Sequence, residues 1–149
     1  DGAAIGAGRV GRLPAPGMPL QALIQRLSAA LPPTAGGIRV AGDPEAVVRT
    51  VAVLGGAGDG YIDTARAAGA DVYITADLRH HPVLEARETD RWGTPYLVDA
   101  GHWATEWLWL AHAERRLRAT LRPMTTSVST LRTDPWTFVV DTQEPGGTQ

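Results

Sequence analysis

Residues 47–78 read VVRTVAVLGGAGDGYIDTARAAGADVYITADL. The opening stretch, VVRTVAVLGG, is mostly apolar and β-branched, as expected of a strand covered on both faces. Glycine and aspartate interrupt it, and GDGYIDTARAAGA then has the character of a helix ending at Gly69. The stretch closes with DVYITADL, a second strand. Strand, helix and strand in this order set the expectation for the whole chain.

The alternation continues outward. On the carboxyl side, HPVLEARETD predicts a helix with Pro82 in its first turn, and PYLVDAG predicts a strand. HWATEWLWLAHAERRLRATLRP predicts one long helix closed by Pro123, with Trp103, Trp107, Leu110 and Leu117 as its apolar stripe. TTSVSTLR alternates like a strand, and WTFVV is positioned to pair with it. On the amino side, MPLQALIQRLSAAL places Leu20, Leu23, Ile24, Leu27 and Leu31 at helical spacing, with Pro19 in the first turn and Pro32 and Pro33 as the stop. GIRVAG is a short strand. Residues 1–17 are rich in Gly and Pro and make a poor domain start, and the tail 141–149 is expected to be disordered. The fold class that follows is α/β, a layered α/β/α sheet that is mostly parallel in its middle.

Composition narrows the function classes. A chain of 149 residues fits one domain with its own core. There is no cysteine, which excludes disulfides, thiolate metal sites and cysteine nucleophiles, so a metal would need His, Asp or Glu. The net charge of −2 gives no strong nucleic-acid signal and no general attraction to anionic membranes. No apolar run reaches the roughly 18 residues of a membrane helix, and the start shows no secretory leader pattern, so a soluble cytoplasmic protein is expected.

In layered α/β sheets, ligands bind beyond the carboxyl ends of the strands. Three junctions therefore matter: Gly55–Gly60, Asp77–Pro82 and Asp99–Glu106. In the third, His102 and Glu106 are four apart. On a helix this puts them on one face with Cβ atoms about 5–6 Å apart, close enough for one or two metal ions. Imidazole and carboxylate suit zinc, iron, manganese or nickel. The same pair also reads as a solvated first turn, with Glu106 favoured by the helix dipole. In TADLRHHP, His80 and His81 stand at a strand mouth as candidate ligands, acid–base groups or substrate contacts. Alternatively, one faces solvent while the other caps or packs. Asp77 can orient a histidine or cap a helix. LGGAGDG can cradle a phosphate with backbone N–H groups, or it can be a tight turn that needs positive φ, with Asp59 as a cap. It lacks the lysine and spacing of a P-loop.

Taken in order, GAGRVGRL, VAVLGGAGDG, GADVYITADLRHH, VDAGHWATE and TDPWTF resemble the Nif-three-like proteins, a dinuclear-metal, hexamer-forming family also named GTP cyclohydrolase 1 type 2 homologues. The resemblance covers most of residues 5–140. It implies two similar α/β halves with two divalent metal ions in the cleft between them. The second half usually supplies a GHxxxE motif, which Gly101, His102 and Glu106 match, so the resemblance implies that His102 and Glu106 are metal ligands. Thr75, Asp77 and His81 match a second motif. Ala76 replaces its usual glycine, and His80 stands where an aromatic is common. His81 and Asp77 would then line the pocket as catalytic groups.

No histidine precedes His80, so the histidine pair of the first half has no counterpart here. The chain resembles the carboxyl-terminal half of such a protein, residues 1–140, with the amino-terminal half absent. The implied partners are that missing half and further copies of the chain. The implied function is one part of a metal-dependent, hydrolase-like protein acting on a small molecule, a nucleotide or other phosphate compound, through metal-activated water. One His and one Glu fall short of the three protein ligands of a catalytic zinc, so this piece alone is expected to hold metal weakly or not at all. A non-enzymatic metal-binding scaffold or regulatory protein is the alternative. Open coordination positions would mark the enzyme and a closed site the scaffold.

Overall fold

The computed structural model describes residues 6–89 and 93–141. In chain order the elements are β1 (Arg9–Arg12), β2 (Met18–Pro19), α1 (Leu20–Ala30), β3 (Arg39–Ala41), β4 (Val47–Val48), β5 (Thr50–Ala57), α2 (Ile62–Ala67), β6 (Val72–Ala76), α3 (His80–Thr89), β7 (Tyr96–Asp99), α4 (His102–Trp107) and α5 (Leu110–Thr120). A 3₁₀ turn at Asp59–Tyr61 leads into α2.

Five strands form one sheet in the order β1-β5-β6-β7-β3. The middle three run parallel, and β1 and β3 are antiparallel edges. The parallel pairing follows from the connections, since α2 lies between β5 and β6 and α3 between β6 and β7. The starts of β5 and β6 are tied by one carboxylate. Asp71 accepts the backbone N–H groups of Arg49 and Thr50 at 2.7 and 2.8 Å.

The two-residue period of the strands sorts their side chains to two faces. Val72, Ile74 and Val98 point one way and bury against Leu20, with Leu23, Ile24 and Leu27 of α1 packed on the cluster. Ala52, Tyr73 and Leu97 point the other way, onto Ile62 and Ala65 of α2, Leu78, and Val83 and Ala86 of α3. The result is the expected α/β/α layering. Burying a side chain such as Leu97, 1% exposed, stabilises the fold by roughly 1.5–3 kcal/mol.

Two expectations are corrected. The long helix from His102 is broken after Trp107. At the break, the Trp109 N–H bonds the Glu106 carbonyl at 3.2 Å, three residues back rather than four. The halves of that sequence have different surroundings: α4 packs on β5 and β6, whereas no residue of α5 is buried. Leu117, expected in the apolar stripe, is accordingly exposed. Neither TTSVSTLR nor WTFVV is a strand. Instead, side chains fasten the first of these segments: Trp107 Nε1 donates to the Ser129 carbonyl at 3.1 Å, and Arg118 Nε to Thr126 Oγ1 at 2.7 Å. An alternating sequence forms a strand only where a partner takes its N–H and C=O groups. The expected disorder of the tail concerns residues that, apart from Asp141, lie outside those described.

Candidate functional site

β6 and β7 end side by side, with Thr75 opposite Asp99. Beyond Thr75 the chain turns at Asp77, whose φ of 54° lies in the left-handed region that non-glycine residues enter at a cost of about 1–3 kcal/mol. Beyond Asp99 it turns at Gly101, φ 81°, and starts α4 at His102. One carboxylate joins the two turns. Asp99 accepts the Leu78 N–H through Oδ2 and the Gly101 N–H through Oδ1, each at 3.2 Å, and pairs with Arg39. Sequence reasoning missed this role for Asp99. The available signal was a lone acid at the end of an otherwise apolar strand.

The paired turns bring together three of the predicted residues. His102 Nδ1 lies 2.6 Å from Asp77 Oδ2, and His102 Nε2 lies 3.1 Å from Glu106 Oε2. The imidazole thus sits between two carboxylates. Its pKa is raised, chiefly by the hydrogen bond to Asp77, while partial burial pulls the other way. All three side chains reach solvent, at 44–55% exposure.

The donor set can be tested against a metal. If Asp77 accepts the Nδ1–H, the tautomer is fixed and the Nε2 lone pair is available, the arrangement found where a carboxylate orients a metal-binding histidine. Nε2 and Glu106 Oε2 stand within a few tenths of an ångström of the roughly 3.3 Å between two ligands of one tetrahedral ion. The residues therefore fit two ligands and their positioning group. Among the described residues no cluster of three or more His, Asp or Glu forms a complete cage.

The glycine-rich turn packs against this group. Gly56 has φ 75°, and a Cβ there would lie 2.5 Å from Glu106 Oε1. The Gly56 N–H donates to Thr105 Oγ1 at 2.9 Å and the Gly58 N–H to the Ala76 carbonyl at 3.2 Å. Those two donors serve the fold, which favours the tight-turn reading over a phosphate cradle. Asp59 makes no side-chain cap and instead pairs with Arg79.

His80 and His81 open α3, both exposed, with their rings edge to face at 5.4 Å. Asp77 thus orients His102, the histidine of the next junction, while the ring contact of His81 is with His80.

The chain matches the profile of the Duf34/NIF3 (NGG1p interacting factor 3) family over residues 3–135. It belongs to that family. Among NIF3 relatives, a GTP cyclohydrolase 1 type 2 homolog of Streptomyces coelicolor is 50% identical over 136 residues, covering 89% of this chain and 46% of the relative. A protein of the same name from Mycobacterium tuberculosis is 49% identical over 132 residues, covering 88% of this chain and 34% of the relative. The crystal structure of a Bacillus cereus protein related to NIF3 superposes with a TM-score of 0.69 at 32% identity, covering 90% of this chain and 36% of that one. The chain thus spans between a third and a half of the length of these NIF3 proteins. Among the described residues no helix is long and apolar enough to cross a membrane.

Proposed function

We propose that this chain supplies one part of a dinuclear metal site in a hydrolase-like protein, with His102 and Glu106 as ligands and Asp77 as the group that orients His102. The observation that carries the reading is the Asp77–His102–Glu106 chain of contacts at 2.6 and 3.1 Å. Asp77 holds the proton on Nδ1 and directs Nε2 toward the point that Glu106 shares. Gly56 and Thr105 hold the first turn of α4 against β5, which keeps Glu106 beside His102. Divalent ions bound there supply Lewis-acid polarisation of a phosphoryl or carbonyl oxygen.

Two ligands are fewer than a catalytic zinc takes from its protein. We therefore assign the remaining ligands, a second half of the fold and a homo-oligomeric ring to the full-length protein. The relatives' name motivates nucleotides and other phosphate compounds as the substrate class. His81, exposed at the neighbouring junction, is assigned to the same mouth as a substrate contact. Metal analysis of the full-length protein, followed by a hydrolysis screen against nucleotides and phosphodiesters, tests the reading. Metal content that stays unchanged in both His102→Ala and Glu106→Ala would overturn it.

A further inference from the structure

A cleft of about 730 Å³ opens between β3, β7 and α3. That volume is typical of sites for small organic ligands. Val83, Leu84 and Leu97 form an apolar floor, while Arg39, Arg79 and His80 line it with polar groups. Leu84, an aliphatic side chain on α3, stays 46% exposed there.

The donors left over in the lining suit an anion. Among the described residues, Arg39, Arg79 and Arg87 line the cleft with Asp43 and Asp99, and Asp59 pairs with Arg79. Asp99 already accepts from Arg39 and the Leu78 N–H, and Asp43 Oδ1 from the Glu45 N–H at 2.9 Å. Arg87 lies over the Tyr96 ring. Asp99 engages one terminal nitrogen of Arg39, and Asp59 engages Nε of Arg79. A guanidinium has five N–H donors, so both arginines keep donors for an oxyanion. Their side chains are 72% and 76% exposed.

We propose that this cleft binds a small amphiphilic anion, its apolar body seated on Val83, Leu84 and Leu97 and its phosphate or carboxylate held by Arg39 and Arg79. The site requires neither a metal nor a reaction at His102, so it stands or falls apart from the function proposed above. Asp99 connects the two places. The carboxylate that pairs with Arg39 in the cleft also anchors Leu78, next to Asp77, and Gly101, next to His102.

Amide-resolved NMR titration of the full chain tests the proposal, with phenyl phosphate, benzoate, inorganic phosphate and phenol as probes. Phenyl phosphate or benzoate is expected to give saturable shifts at Leu78, Val83, Leu84 and Leu97, at least about tenfold tighter than inorganic phosphate or phenol. Arg79→Glu and Arg39→Gln should each weaken that binding about tenfold or more while the spectrum stays folded. Should loss of the Asp99 partner unfold Arg39→Gln, Leu84→Glu joins Arg79→Glu and is expected to abolish binding. Saturation elsewhere or nowhere, equal affinity for phenol or inorganic phosphate, or undiminished binding in Arg79→Glu would each overturn it.

Discussion

His102 Nδ1 and Asp77 Oδ2 lie 2.6 Å apart, although 25 positions separate them in the chain. Each sits just past the end of a strand, and β6 and β7 are parallel neighbours, so their carboxyl ends place the two turns side by side. Asp77 reaches His102 from a left-handed backbone conformation that an aspartate adopts at a cost. Site and strain therefore separate by substitution. Asp77→Asn should lower the metal affinity of the full-length protein about 10–100-fold, as loss of an orienting carboxylate does elsewhere. Asp77→Gly should lose metal similarly while melting no lower than the parent, because glycine relieves the φ of 54°. Isothermal titration with zinc and a thermal melt read the two effects.

His102→Ala and Glu106→Ala should each reduce metal occupancy of the full-length protein and leave the fold intact. Both side chains are about half exposed, beyond the core clusters, so each change should cost under about 1 kcal/mol. Elemental analysis beside melting curves checks this. A large fall in melting temperature with metal content unchanged would assign the pair a structural role instead.

Gly56→Ala should destabilise the fold by about 1–3 kcal/mol, since φ is 75° and the new Cβ would meet Glu106 Oε1 at 2.5 Å. Glu106 is a flexible side chain, so the contact and the backbone strain can be told apart. In a double-mutant cycle with Glu106→Ala, the contact part should be recovered and the strain part should remain. Denaturant unfolding of the four proteins gives the coupling directly.

Tyr73 is 2% exposed, and its hydroxyl donates to the Gly58 carbonyl at 2.9 Å. Burial, the largest cause, raises its pKa above 10.0, and Tyr61 and Asp59 add to this while the Thr75 hydrogen bond opposes it. The unfolded chain therefore loses this proton first. The associated stability is fully present below pH 10 and falls as pH rises through the folded-state value, by up to about 1.4 kcal/mol per pH unit. Tyr73→Phe should lack that alkaline slope and lose about 0.5–1.5 kcal/mol at neutral pH. Urea unfolding between pH 8 and 11 would show both.

The sequence by itself determined the parallel middle of the sheet, while the edge strand β1 lies in a Gly- and Pro-rich stretch that gave no strand signal. Short apolar runs in DVYITADL and PYLVDAG, with a helical stretch between them, left few other ways to bury Val72, Ile74, Leu97 and Val98 on two faces. It also placed His102 and Glu106 on one helical face, because four-residue spacing is a local property that the helix converts into a contact of 3.1 Å. Tertiary structure decided what local rules do not reach. Asp77 pairs with His102 because β6 and β7 are adjacent, a consequence of strand order and not of spacing. Asp99 anchors both turns because the same neighbours end level with each other. The helix breaks at Leu108–Trp109, where α4 still rests on the sheet and α5 does not, although the sequence there has no breaker. TTSVSTLR has a strand's alternation, but pairing needs a second backbone within hydrogen-bond reach, and only the fold can supply one.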